Sequence, residues 1–210
     1  MVSQRLKSRF STLLRRLGAT ANVDALYDEL ANAWAEPHRA YHGTAHLLDC
    51  LEQLDAAPGE GADRRIVEAA LWFHDAVYDP RATGNEARSA AWGSRALAAA
   101  GVPTMVGSEV ARLVLLTRHN APAIDPGGRL VCDIDLSILG RGPDEFFEFE
   151  RRIRAEYAWV PEDTYRAVRA DILAGFLRRS PLYLTQHFRR KYESAAHENL
   201  EAAVARLRDR

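Results

Sequence analysis

The sequence predicts an all-α protein, a single compact helical bundle formed by residues 1–210. Apolar residues recur at helical spacing in almost every segment, whereas runs of β-branched residues are few and no Asn-Gly hairpin occurs. No internal repeat, low-complexity segment or linker divides the chain. In such a bundle, a functional site has to be built from side chains on facing helices.

Start and stop signals predict six helices before residue 120. The first carries Leu6, Phe10 and Leu17 on one face and ends at Gly18, so we interpret this basic segment as an ordinary helix rather than a targeting signal. The other five are bounded by Gly, Pro, Asn or Asp and cover about 22–37, 41–54, 63–77, 85–101 and 103–118. A loop over 120–128 follows.

The segment 129–139 fits two kinds of structure. As a strand it alternates, with Asp133 and Asp135 on the same polar face. As a helix it turns these two acids about 200° apart, which places Asp135 among apolar residues and Asp133 among mixed ones. Because the flanking segments are helical, we interpret 129–139 as a helix, followed by three C-terminal helices over 144–157, 162–179 and 185–208.

Composition limits the choice of partners. Lys plus Arg number 28 against 29 for Asp plus Glu, a formal net charge of -1, so no overall field attracts nucleic acid or anionic lipid. No apolar run approaches the length of a membrane span.

Cys50 and Cys132 each lie in an apolar stretch, which is typical of buried free thiols in a reducing compartment and predicts a cytoplasmic protein. The oligomeric state stays open, with a homodimer as one option.

A His-Asp pair, His74-Asp75, interrupts the apolar run 70–78. Burying an unpaired carboxylate costs several kcal/mol, and the dipole at a helix C-terminus disfavours an acid by about 0.3–1 kcal/mol more. A divalent cation would offset both penalties. The alternative is a buried structural hydrogen bond between the two side chains.

A histidine pair, His42 and His46, has the i, i+4 spacing that places two side chains on one helix face. Chelating pairs and acid-plus-ligand pairs need this spacing, although it also occurs in solvated or capping pairs. Asp135, on the apolar face of the helix over 129–139, is a second acidic candidate for compensation by a cation.

This ordered set resembles the HD superfamily of metal-dependent phosphohydrolases, whose pattern is His … His-Asp … Asp on a helical bundle. The ligand pattern lies within 41–139, and the resemblance implies that the helices over 144–208 pack on it. The segments WFHDAVYDP and DIDLSILG and the pair Asn85-Glu86 look like a small bacterial branch of predicted HD phosphohydrolases, a similarity that covers most of the chain.

The resemblance implies one or two divalent ions held by four side chains, namely His46, His74, Asp75 and Asp135. This mixed nitrogen and oxygen set suits Mn²⁺, Fe²⁺, Co²⁺, Ni²⁺, Zn²⁺ or Mg²⁺ without choosing among them. The Tyr-His-x3-His and Asp-Leu-Ser segments are also similar to those of cyclic-nucleotide phosphodiesterases, which implies that His42 is the general acid. Those enzymes have a histidine where this chain has Tyr78, so their specificity does not carry over.

Glu86, Arg118 and His119 are weaker catalytic candidates. Glu86 could act as a base or hydrogen-bond acceptor, but an acid in the first turn of a helix is also ordinary capping. Arg118 and His119 could hold a phosphate, or could simply be cations placed at a helix C-terminus. Asp79 precedes a proline and reads as a turn residue.

The sequence therefore predicts a phosphohydrolase, a phosphomonoesterase or phosphodiesterase acting on a nucleotide or another small phosphorylated metabolite. Two alternatives come from other classes. The first is an HD-type di-iron oxygenase, which typically has several histidines between His-Asp and the last Asp, whereas here only His119 lies there. The second is a non-catalytic binding module that keeps the metal as a structural clamp.

Overall fold

A computed structural model describes residues 2–59 and 61–209, and every regular element in these ranges is helical, which confirms the all-α prediction. The α-helices of these ranges are α1 (Val2–Arg16), α2 (Val23–Trp34), α3 (Thr44–Ala56), α4 (Arg64–Phe73), α5 (Asn85–Ala99), α6 (Thr104–Leu116), α7 (Pro126–Asp135), α8 (Pro143–Glu156), α9 (Glu162–Leu177) and α10 (Gln186–Arg208). A 3₁₀ helix, Leu136–Gly140, follows α7 directly. Within the described ranges no helix combines the length and the apolar character needed to cross a bilayer.

Residue contacts divide the chain into two compact units, Met1–Cys132 and Asp133–Arg210. The boundary falls inside α7 rather than in a linker. The single domain expected over 1–210 stays a prediction, and each unit is described by itself.

In the first unit, α4 is the central helix. Its residues from Ala69 to Phe73 are all buried, and it packs against α1, α3, α5 and α6. The indole nitrogen of Trp34 on α2 donates to the carbonyl oxygen of Trp72 at 3.1 Å. Gly93 on α5 allows close packing here, because a Cβ atom at this position would lie 3.0 Å from Cγ of Phe73. The segment that follows α4 therefore begins at a tightly packed, buried residue, Phe73.

Two predicted helices of this unit have different bounds from those expected. The helix expected from residue 41 begins at Thr44, because Gly43 has an extended backbone and caps it. The helix expected to reach residue 77 ends at Phe73. Tertiary hydrogen bonds replace the helical ones there: the backbone N–H of Val77 donates to Oγ of Ser89 at 2.9 Å, and the Ser89 hydroxyl donates back to the Val77 carbonyl at 3.2 Å.

The expected helix over 129–139 forms, but it starts earlier and changes its type. Asp125 caps it by accepting a hydrogen bond from the Gly128 N–H at 2.9 Å, and Pro126 takes the first helical position, where a proline is favoured. The expected loop over 120–128 is therefore shorter at its C-terminal end. After Asp135 the helix tightens into the 3₁₀ turn.

In the second unit, α10 packs on α9 and on the 3₁₀ helix. Gly140 is required at this contact, because a Cβ atom there would lie 2.4 Å from Cβ of Tyr192. The Asn199 side-chain amide donates to the carbonyl oxygens of Leu139 and Arg141 at 2.9 and 2.8 Å. These contacts fix the end of the 3₁₀ helix against α10.

Asp133 has a different environment from the mixed one expected on a helical wheel. It is only 1% exposed, whereas Asp135 is half-buried. Its two carboxyl oxygens accept hydrogen bonds from the backbone N–H groups of Leu184 and Thr185 at 2.8 and 2.7 Å, just before α10. Burial raises the pKa of Asp133 to about 6, although these two N–H groups act in the opposite direction. Asp133 therefore has a structural role that residue spacing did not indicate.

This raised pKa predicts a pH dependence of stability. Between about pH 4 and pH 6 the folded chain keeps the Asp133 proton that the unfolded chain has lost, so the free energy of unfolding falls as the pH rises. The stabilisation that the Asp133 proton provides is fully present below about pH 4. Its loss lowers the free energy of unfolding by roughly 3 kcal/mol at most. Urea unfolding of the wild type and of Asp133→Asn across this range measures it. An equally steep fall in the variant would contradict the assignment to Asp133.

Candidate metal centre

Two imidazole rings from different parts of the chain meet inside the first unit. His46 is in the first turn of α3, and His74 caps the C-terminus of α4. Their Nε2 atoms lie 3.1 Å apart, and the two side chains are only 2% and 1% exposed. The structure thus brings together two of the predicted metal ligands, although they are separated by 28 residues in the chain.

The hydrogen bonding of His74 indicates which of its nitrogens faces the pair. Nδ1 lies 2.8 Å from the carbonyl oxygen of Leu71. A carbonyl oxygen can only accept, so Nδ1 carries a proton, and Nε2 of the neutral ring offers its lone pair toward His46. A backbone carbonyl that orients a histidine in this way is the usual support for a metal ligand.

Asp75 brings a carboxylate to the same point. Its Oδ2 lies 3.2 Å from Nε2 of His74 and 3.9 Å from Nε2 of His46, and its side chain is 13% exposed. Acceptor atoms at such distances repel one another unless a proton or a cation lies among them. Atoms that bind one ion at about 2.0–2.2 Å lie roughly 3–4 Å apart, so these three residues fit a divalent metal. A structural hydrogen bond between His74 and Asp75 needs a second proton on His74.

Cys50, expected from the sequence to be a buried thiol, is a neighbour of these residues. Both cysteines are free and buried, as expected. Ligand-type atoms of Cys50, His46 and His74 lie within 4.8 Å of one another, and this buried group could hold a metal ion. The sulfur is nearly equidistant from Nε2 and Nδ1 of His46, at 3.7 and 3.8 Å, and so lies off the line of either lone pair. Cys50 is a further candidate ligand beside the two imidazoles, one that residue spacing did not indicate.

His42 precedes α3 instead of belonging to it, so the expectation that His42 and His46 share one helix face is wrong. Gly43 adopts its extended conformation between them. The two rings are nevertheless neighbours, with centroids 6.0 Å apart. The half-buried His42 ring stacks on Tyr78 at 4.3 Å with 26° between the ring planes. The proposed acid thus lies beside a proposed metal ligand.

Arg39 is a buried residue of this region that no sequence signal indicated. Its guanidinium group donates to three backbone carbonyl oxygens, those of His42 at 3.0 Å, Asp75 at 2.6 Å and Ala76 at 3.3 Å. It therefore joins the turn that carries the candidate acid to the turn that carries a candidate ligand.

The weaker candidates Glu86, Arg118 and His119 also belong to the first unit. Glu86, in the first turn of α5, pairs with Arg118 at 3.6 Å, and each side chain is about one-third exposed. His119 follows α6 and adopts a left-handed backbone, with φ of 55°. Neither Glu86 nor His119 belongs to a metal-binding group within the described ranges. Asp79 is a turn residue, as expected, and accepts from the Arg81 N–H at 2.8 Å.

Asp135 is the last residue of α7 and belongs to the second unit. Its assignment as a metal ligand stays a prediction.

Comparisons of the chain with protein-family models, with curated proteins and with solved structures find no match. The functional argument therefore depends on the residues and on their geometry.

Proposed function

We propose that this protein is a metal-dependent phosphohydrolase that cleaves a phosphate ester of a nucleotide or of another small phosphorylated metabolite. The observation that carries the proposal is the convergence of His46 Nε2, His74 Nε2 and Asp75 Oδ2 at 3.1–3.9 Å in the interior of the first unit. These atoms repel one another unless a proton or a cation lies among them, and a divalent cation bound by all three is the proposed solution. The all-helical structure agrees with an HD-type bundle, which is part of the proposal.

His46, His74 and Asp75 would hold one or two divalent ions. Asp135 is proposed as the fourth ligand because of the ordered His … His-Asp … Asp pattern. When bound, the metal supplies a water with a pKa near neutrality and an electrophile for the phosphoryl oxygens. Mn²⁺, Fe²⁺, Co²⁺, Ni²⁺, Zn²⁺ and Mg²⁺ all suit such ligands.

His42 is the proposed proton donor to the leaving oxygen. Its ring is half-buried, next to His46 and stacked on Tyr78, so it can reach a substrate beside the metal ligands without being one of them. Such a donor contributes about 10²–10⁴-fold to the rate.

Arg118 is the residue proposed to bind the phosphate group of the substrate, assisted by His119. Glu86 orients the Arg118 guanidinium. We expect Arg118→Ala to raise KM about tenfold with little change in kcat, because a partly exposed charge-assisted hydrogen bond contributes on the order of 1.5 kcal/mol. Initial rates over a range of substrate concentrations measure this. A fall in kcat with unchanged KM would assign Arg118 to the chemical step instead.

Both cysteines are free and buried, which supports a reducing, cytoplasmic environment as part of the proposal. The partner expected is a small phosphorylated substrate, not a nucleic acid polymer or a membrane.

The test is metal analysis of the purified protein, followed by a screen of nucleotides and sugar phosphates with Mn²⁺, Co²⁺ or Mg²⁺ added. We expect one or two ions per chain and hydrolysis that a chelator abolishes and added metal restores. Bound metal without turnover of any phosphate ester would favour the structural clamp. A chain that retains no metal would contradict the proposed centre altogether.

A further inference from the structure

Arg39 has an unusual environment for a charged residue. Its side chain is 0% exposed and lies between two aromatic rings, 5.7 Å from the centre of Trp34 and 5.5 Å from that of Tyr78. The Nε atom donates to the Glu36 carboxylate at 2.9 Å. A guanidinium group this deeply buried is tolerated only when its donors are satisfied, and the remaining donors point at backbone carbonyl groups.

These carbonyl groups belong to the two turns that carry the proposed chemistry. They are those of His42, which precedes α3, and of Asp75 and Ala76, which follow α4. All three residues lie outside the α-helices, in turns where the regular helical ladder does not continue. A single planar group therefore sets the spacing between the two turns.

We infer that Arg39 is a positioning residue that holds the His42 imidazole at a fixed place relative to the metal ligands. The inference rests on the proposed function and names a residue on which that function depends. Tyr78 links the two residues directly, because its ring contacts both the Arg39 guanidinium and the His42 ring. Lysine cannot replace Arg39, since its single nitrogen cannot reach carbonyl groups in two turns and the Glu36 carboxylate together.

The kinetic test uses Arg39→Lys. We expect kcat per bound metal ion to fall about 10–100-fold, because displacing a catalytic group by about 1 Å has this effect. The loss should shrink on phosphate esters with good leaving groups, which need no proton donor. In combination with His42→Ala, the two effects should not multiply, since both act on the same proton transfer.

The matched control is Arg64→Lys. Arg64 also donates to two carbonyl groups in the first unit, those of Ala57 and Leu54, but at the opposite end of α3 from His42. We expect this variant to keep the wild-type dependence on the leaving group. If Arg39→Lys also keeps it, or if its effect multiplies with that of His42→Ala, the inference is overturned.

A second measurement does not need activity, so it separates failure of the inference from failure of the proposed function. Imidazole NMR signals of His42 and His74 should both shift in Arg39→Lys and stay in place in Arg64→Lys. Glu36→Gln, a milder change at the surface end of the same contact, should shift them in the same direction by less. If the signal of His42 stays in place in both variants, Arg39 does not position this ring, whatever reaction the protein catalyses.

Discussion

His74→Ala is expected to abolish metal retention and to lower phosphate ester hydrolysis by more than about a thousandfold, since the metal-activated water is then lost. Of the three converging side chains, His74 has the shortest contacts to the other two, at 3.1 Å from His46 and 3.2 Å from Asp75. Without it, only the His46 imidazole and the Asp75 carboxylate, 3.9 Å apart, remain of the three. Metal content by elemental analysis and initial rates on the same sample measure both effects.

His197→Ala is the matched control. His197 lies on α10, is partly exposed and contacts Glu193 at 3.4 Å, so this variant should keep both metal and activity. Because His74 is buried, its removal also leaves a cavity, and Asp75→Asn supplies an almost isosteric second variant. If either variant at the centre retains metal and turns over substrate normally, the proposed metal set is incorrect.

His42→Ala is expected to separate metal binding from catalysis. The variant should fold and keep its metal, because His42 is half-buried and lies in a turn ahead of α3, where its backbone carbonyl still accepts from Arg39. Its kcat should fall by about 10²–10⁴-fold on substrates with poor leaving groups. On esters whose leaving group needs no proton, the loss should be much smaller. Rates on a series of esters with graded leaving groups give the comparison.

His38→Ala is the control for this variant. His38 is exposed, and its ring nitrogen Nε2 lies 2.9 Å from the carbonyl oxygen of Tyr78, so this variant tests the loss of a nearby imidazole that is not a proposed catalytic group. Equal losses on good and poor leaving groups in His42→Ala would remove His42 as the acid. Loss of metal in His42→Ala would make it a ligand or a structural residue instead.

The amino-acid sequence alone determined the helical class and the order of the helices, because the spacing of apolar residues and the Gly and Pro stops are local signals. It also indicated the His74-Asp75 pair, since polar side chains inside an apolar run have to be compensated in the interior, whereas His46 was indicated by its spacing from His42 and by the resemblance to the HD pattern. In the structure, Nε2 of His46 and Oδ2 of Asp75 lie 3.1 and 3.2 Å from Nε2 of His74, and their role as metal ligands stays a prediction.

Only the tertiary structure decided where α3 begins and α4 ends, and which side chains support the turn before α3 and the turn after α4. The Ser89 hydroxyl bonds to the backbone N–H and carbonyl of Val77, 12 residues away. The Arg39 guanidinium donates to the carbonyl oxygens of His42 and Asp75, 3 and 36 residues away. Likewise, the burial of Asp133 depends on the N–H groups of Leu184 and Thr185, more than 50 residues away. Hydrogen bonds between residues distant in the chain leave no periodic signal, because either partner is an ordinary polar residue until the fold brings the two together.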